Sequence, residues 1–287
     1  MSIITLKAPC KINLSLDITA KRADGYHELE SVFQTLSIFD DITVKSANQG
    51  IKITSNIADI PVDKSNTCFK AARLFFEKTQ INAGAEINIE KRIPSQAGLG
   101  GGSADAAYVL KALNLLHSLP LTDDELCKIG AMVGADVPFF ICGGTVYVSG
   151  IGEILKPISH IDNVYFVIAK GENGISTVQA YKKFDLIEKQ THTDTKTIVE
   201  YINSKDIKNA AKLCVNSLED CADLSDIFKI KQIFNDCGAM LSLMSGSGSA
   251  VFGMFSNLSD AETARKICKE QFAFAEICTP YYDNTDK

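Results

Sequence analysis

The sequence predicts an α+β protein of two domains, with mixed and antiparallel sheets packed by helices. Three observations carry this expectation. The chain has 287 residues, enough for about two domains. Its N-terminal stretch reads mostly as alternating strands, the pattern of antiparallel sheet with one wet face. Beyond residue 155 helical and strand segments alternate, so the boundary is placed there, dividing 1–155 from 156–287.

Residues 11–18 alternate strictly. Ile12, Leu14, Leu16 and Ile18 share one face, while Lys11, Asn13, Ser15 and Asp17 share the other. Periodicity alone makes this a half-buried strand with a solvated polar face. An Asp24-Gly25 turn follows, with Tyr26 and His27 directly after it. Strands are expected over 31–38, 41–45 and 50–55. Ser65 or Asn66 caps a helix carrying Phe69, Ala72 and Phe75, and a strand over 86–93 follows. Thr122 and Glu125 form a capping box for another helix. Strands are expected at 144–149 and 163–169, and a loop at 170–177. Helices over 198–203, 207–216 and 227–234 follow, then strands over 239–244 and 250–255, a helix opening at Ser259, and a closing strand over 274–280.

Composition excludes several function classes. The net charge of −6 argues against a nonspecific nucleic-acid or membrane-surface binder. Nine cysteines without CxxC spacing, and only four histidines, argue against a zinc site and fit a reducing cytoplasm. No apolar run approaches the ~20 residues of a membrane span, and the first residues lack the pattern of a signal peptide.

The chemistry is expected around residues 94–107, where Gly98, Gly100, Gly101 and Gly102 crowd before Ser103. A helix pattern begins at Ala104. Glycines let a ligand approach the backbone, and a helix N-terminus offers unpaired N–H groups and a positive dipole end to phosphate. A Walker loop would need Gly-Lys-Ser/Thr where Gly102-Ser103-Ala104 stands. A dinucleotide fingerprint would need its third glycine at Ser103. Ser245-Gly246-Ser247-Gly248-Ser249, between two apolar strands, is a candidate second wall. Asp136 stands between Gly134 and an apolar Val-Pro-Phe-Phe run, where a carboxylate is costly unless partnered.

Pro9-Cys10-Lys11-Ile12-Asn13-Leu14, the 94–107 loop and Met244–Ser249, in this order, resemble the three motifs of the GHMP kinase superfamily. Arg22–His27 and Gly134–Pro138 resemble members acting on a diphosphocytidyl methylerythritol. The resemblance implies an N-terminal ATP-binding domain, a ferredoxin-like C-terminal domain and an active site between them. It implies transfer of phosphate from ATP, with Mg²⁺, to the acceptor's 2-hydroxyl, in the methylerythritol phosphate route to isoprenoid precursors. Lys11 and Asp136 match the catalytic positions, Asp136 as the base. Asn66 and Lys91 match positions near the adenosine, and Pro94, Ala97, Gly98, Leu99, Gly100, Gly101, Gly102, Ser103 and Ala104, with Gly246 and Ser247, match the ATP site. Asn13, Tyr26, His27 and Tyr181 match the acceptor site, the aromatics clamping cytidine. No protein ligand of the metal is identified. The implied protein is cytoplasmic, a monomer or weak homodimer, with a small-molecule substrate and neither nucleic acid nor membrane as partner. A mevalonate- or homoserine-type kinase, or a non-catalytic nucleotide sensor, remain the alternatives.

Overall fold

A computed structural model describes residues 2–188 and 190–283. The chain divides into two compact units, each built from separated segments. One takes the chain up to Cys10, then Ile38–Ile93 and Gly100–Gly143; the other takes Lys11–Ser37, Pro94–Leu99 and the chain from Gly144 on. Two long strands, β1 (Ile3–Lys21) and β2 (His27–Ala47), contribute to both.

In the first unit, β3 (Ile51–Ser55) leads to α1 (Thr67–Thr79) and β4 (Gly84–Glu90). β4 pairs antiparallel with the end of β2, Val44 opposite Ile87, and parallel with β3, Ile53 opposite Ile87. The alternation of Glu86–Glu90 does mark one buried and one wet face, with Ile87 and Ile89 inside. α2 (Gly101–Leu116), α3 (Asp123–Val133) and α4 (Val137–Cys142) complete this unit. α2 is its central helix and packs on α1, α3 and α4. Ala104, Ala106 and Ala107 are fully buried, and small side chains let neighbouring helices approach closely.

In the second unit, β2 pairs through Ser31–Gln34 with β5 (Thr145–Ser149), and β5 with β6 (Ile154–Pro157). β7 (Tyr165–Lys170) follows, then α5 (Thr177–Phe184), α6 (Thr195–Asn203), α7 (Ile207–Leu213) and α8 (Ser225–Asp236). β8 (Leu241–Met244), β9 (Val251–Phe255), α9 (Leu258–Gln271) and β10 (Phe274–Cys278) close the chain. The last four-stranded sheet has the order β10-β7-β9-β8, all antiparallel, with α8 and α9 packed on it. Gly253 is required in β9, because a Cβ there would lie 2.8 Å from the Phe234 ring of α8.

Several sequence expectations change. The strands at 31–38 and 41–45 are one, because Asp40 between them is buried and hydrogen-bonded rather than a turn residue. α5 begins where only a loop was expected; it buries just Ala180 and Phe184, too few positions to show a period. The apolar run after Asp136 is the short helix α4. α7 ends at Leu213, since Cys214 is extended and Asn216 caps a separate turn. The largest correction concerns β1. Lys11, Asn13, Ser15 and Asp17 are all buried, so its polar face is not solvated. Residues 191–217 cover it: Ser15 Oγ donates to the Val215 carbonyl (3.1 Å), and Asp17 accepts from the Thr193 N–H (3.2 Å) and meets His192 Nδ1 at 2.7 Å.

Candidate active site

The first arm of the glycine loop, Pro94–Leu99, is built in the second unit. The Lys11 N–H donates to the Leu99 carbonyl (3.0 Å), and the Ala250 N–H to the Ala97 carbonyl (3.1 Å). Ser245 Oγ donates to the Gly98 carbonyl (2.9 Å) and accepts from the Asn13 N–H (3.3 Å). Gly98 has φ of +73°, and a Cβ there would stand 1.9 Å from the Ser245 carbonyl oxygen. Glycine is therefore demanded twice, by dihedral and by space.

The Ser245–Ser249 loop is fixed from its other side. Asn216 Nδ2 donates to the carbonyls of Met244 (2.7 Å) and Gly246 (2.8 Å). Ser247 Oγ lies 2.9 Å from Thr177 Oγ1. Lys11 and Asn13 do project together, as alternation requires: Lys11 Nζ donates to Asn13 Oδ1 (2.6 Å) and sits 4.5 Å above the Phe33 ring. Asn13 Nδ2 in turn donates to Ser31 Oγ (3.2 Å).

The second arm lies in the first unit. Gly100 is the N-cap of α2 with φ of +70°, and the helix starts at Gly101, earlier than the apolar pattern indicated. The N–H groups of Ser103 and Ala104 both turn back to the Gly100 carbonyl, and no side chain caps this end. That leaves the first-turn amides of Gly101 and Gly102 outside the helix ladder, at its positive end. Thr67 Oγ1 donates to the Gly102 carbonyl (2.9 Å). Asp136 is half-buried at the N-terminus of α4, ahead of Pro138. A Cβ on nearby Gly134 would be 3.9 Å from Ser103 Oγ, so this turn and the start of α2 are neighbours.

Two other expected residues have structural partners. Asn66 accepts from the Cys68 N–H (2.8 Å) as the cap of α1 and donates to the Pro61 carbonyl (2.5 Å). Lys91 is buried; its ammonium binds Asp40 and, at 2.7 Å, Asp105 of α2. Burial pushes the Asp105 carboxyl up to about 7, against the pull of Lys91. Burial pulls Lys91 down, but the carboxylates of Asp105 and Asp40 outweigh it and raise the ammonium. Asp40 also accepts from the N–H groups of Arg92 (2.5 Å) and Ile93 (2.8 Å), pinning the chain into the glycine loop.

In the second unit the His27 ring lies 4.9 Å from that of Tyr181 on α5. His27 Nε2 meets Asp185 Oδ1 at 2.7 Å, and Lys21 donates to the other oxygen at 2.7 Å. Hydrogen bonds from Lys21 and then His27 hold the Asp185 carboxyl below its usual value. Tyr26 is 60% exposed, so its ring is available to a ligand.

Family models place this architecture. The GHMP kinases N terminal domain matches residues 66–144, and the GHMP kinases C terminal domain matches 198–273. The chain belongs to the GHMP kinases. Among relatives of this family, the 4-diphosphocytidyl-2-C-methyl-D-erythritol kinase of Clostridium botulinum is 40% identical over 269 residues, covering 93% of this chain and 96% of that protein. The enzyme of the same name from Acetivibrio thermocellus is 42% identical over 259 residues, covering 90% and 92%. A crystal structure of 4-(cytidine 5'-diphospho)-2C-methyl-D-erythritol kinase superposes with a TM-score of 0.82 at 30% identity, covering 97% of this chain and 100% of that one. Homoserine kinase from Cytophaga hutchinsonii shares the fold, with a TM-score of 0.77 at 18% identity and coverage of 97% and 95%.

For this GHMP kinase, the second unit brings together Lys11, Asn13, Ala97, Gly98, Leu99 and Gly246, and separately His27 and Tyr181. The first unit brings together Gly101, Lys91, Ser103 and the Asp136 turn. Sequence reasoning gave no role at the site to Asp185, Asp40, Asp105 or Asn216. Only Asn216 carried a local signal, since an asparagine ahead of Ser217-Leu218-Glu219 caps a turn.

Proposed function

We propose that this chain transfers the γ-phosphoryl group of ATP to the 2-hydroxyl of 4-diphosphocytidyl-2-C-methyl-D-erythritol, a step toward isoprenoid precursors. The observation that carries this reading is the near full-length identity of 40% with relatives of that name. Geometry supports it. Phosphoryl transfer needs positioning and charge stabilisation more than covalent chemistry. The first-turn amides of α2, with Gly98–Ser103 and Ala104, take the phosphates of ATP, and Gly246 and Ser247 wall the site. Lys91 and Asn66 spend their polar atoms on the protein, so they serve the adenosine by shaping its surroundings; Pro94 does the same. Lys11 neutralises charge on the γ-phosphate, and Asp136 accepts the proton of the attacking hydroxyl. Asn13 orients the acceptor, and Tyr26, His27 and Tyr181 hold its cytosine.

Mg²⁺ fits as a passenger of ATP. Among the described residues no group of three or more His, Cys, Asp or Glu side chains could hold a metal, and Mg²⁺ accepts substrate phosphates and water as its ligands. When bound it neutralises charge on the β- and γ-phosphate oxygens. Residues 1–155 and 156–287 form the proposed domains, a division supported by one family model on each side, although the compact units interleave across it, with Lys11–Ser37 and Pro94–Leu99 in the second. The C-terminal domain is proposed as ferredoxin-like, which its strand order supports. Among the described residues no helix is long and apolar enough to cross a membrane; the proposed setting is the cytoplasm, as a monomer or weak homodimer.

Asp136→Asn tests the chemistry. It should lower kcat by ~10²–10⁴ while the KM for ATP stays within about twofold. Full turnover in this variant would remove Asp136 from the mechanism.

A further inference from the structure

The nine cysteines have no CxxC spacing, yet two of them meet. Cys127 of α3 and Cys142, the last residue of α4, have their sulfur atoms 4.0 Å apart. Cys142 is exposed and Cys127 partly so. The two helices pack against each other, and Cys127 Sγ also approaches the Pro138 carbonyl of α4 at 3.8 Å. We propose that Cys127 and Cys142 are a redox modification site, closing to a reversible disulfide that ties α3 to α4 and slows turnover.

Forming the S–S bond of about 2.05 Å requires the sulfurs to close by about 2 Å from their present 4.0 Å. The two thiols are also unequal. Cys142 is the more exposed of the two, so it is the thiol that an oxidant in solvent reaches first. Lys111 on α2 helps Cys142 ionise, while Asp123 and Asp124 at the start of α3 oppose it. Cys142 is thus the attacking thiolate and Cys127 the resolving thiol.

With a low-molecular-weight disulfide as oxidant, the step balances. The Cys142 thiolate attacks one sulfur of oxidised glutathione, the glutathione S–S bond breaks, and the leaving thiolate takes up the proton that Cys142 released. Cys127 then loses its proton and attacks Cys142 Sγ, expelling the second glutathione as a thiol. The protein loses two hydrogens and is oxidised, and one glutathione disulfide is reduced to two thiols.

The effect on turnover rests on the proposed role of Asp136, which stands at the other end of the same six-residue helix. A covalent tie at the C-terminus of α4 restricts the adjustment of its N-terminus. The disulfide itself does not depend on that role, so the two can fail separately.

The test incubates the full chain with oxidised glutathione and reads intact mass, a non-reducing peptide map and turnover. The expected result is loss of two hydrogens, a cross-link joining the Cys127 and Cys142 peptides, and turnover reduced severalfold and restored by dithiothreitol. Cys127→Ser should stop at a single glutathione adduct on Cys142, and Cys142→Ser should leave Cys127 as the thiol; both should keep the turnover of the reduced protein after oxidant treatment. A stable adduct on wild-type Cys142, or a cross-link between other cysteines, would overturn the disulfide. A complete Cys127–Cys142 cross-link with unchanged turnover would overturn the regulatory effect.

Discussion

Two glycine turns of this chain share a positive backbone φ and differ in what surrounds them. Gly98 and Gly25 both adopt positive φ, +73° and +88°. A Cβ on Gly98 would collide with the Ser245 carbonyl, whereas one on Gly25 would meet nothing within 4 Å. The loop around Gly98 is bound through the backbone at Ala97, Gly98 and Leu99. The turn around Gly25 is closed by its own local bonds, Arg22 N–H to the Tyr26 carbonyl and Tyr26 N–H to Asp24. The contrast matches the two proposed ways in which this chain recognises a nucleotide. Phosphate is suited by rigid backbone amides whose position must not change. A base is suited by side chains whose faces can adapt, as on the Tyr26–His27 turn.

The largest break in this comparison should come from Gly98→Ala. Overpacking against fixed backbone together with an unfavourable φ should cost about 2–4 kcal/mol of stability and most of the activity. Gly25→Ala should cost only about 1 kcal/mol, the dihedral term alone. Denaturant melts of the two variants measure the difference, and equal losses would dissolve the distinction between the loops.

The second arm of the glycine loop can be probed through pH. The folded Asp105 carboxyl titrates near 7, above its ordinary value of 3.8, because it is buried. Folding therefore favours its protonated form. The stability it contributes is full below that ordinary value, falls as pH rises toward about 7, and is gone above it. Asp105→Asn cannot lose a proton, so its stability should lack this part of the slope between pH ~4 and ~7. Identical slopes in both proteins would show that Asp105 does not titrate in this range.

Asp185→Asn sharpens the aromatic side of the comparison. Replacing the charged acceptor of His27 and Lys21 should cost about 1–2 kcal/mol, or ~5–30-fold in KM for the cytidine acceptor, with kcat and the KM for ATP little changed. The smallest effect is expected from Tyr26→Ala. The ring is largely exposed, so its loss should cost the lower end of the stacking range, about 1 kcal/mol, in acceptor KM alone. A fall in kcat with either substitution would place that residue in positioning the reacting hydroxyl.

Much of the fold was legible because its signals are local. The alternation of β1, the Thr122–Glu125 capping box, the Asn66 cap and the glycines leading into α2 each act within a few residues, and each is present, although the helix already includes Gly101 and Gly102. What the sequence did not reveal depends on contacts across the chain. The polar face of β1 looked solvated because its cover, Val215 and Ser217, lies about two hundred positions away. The ion pairs of Lys91 were not foreseen because Asp40 and Asp105 reach it from separate elements. Asp185 gave no signal, since an aspartate just after an eight-residue helix is ordinary until His27 and Lys21 arrive beside it. Long-range pairing of polar groups is what single-sequence patterns lack, and it is how this chain holds its proposed site residues in place.

The most direct test of the account is ADP release by the purified protein with ATP and Mg²⁺, comparing 4-diphosphocytidyl-2-C-methyl-D-erythritol with mevalonate and homoserine. The account predicts turnover with the cytidine compound alone. Turnover with mevalonate or homoserine and none with the cytidine compound would contradict it, and would free Tyr26, His27 and Tyr181 from any part in recognising a base.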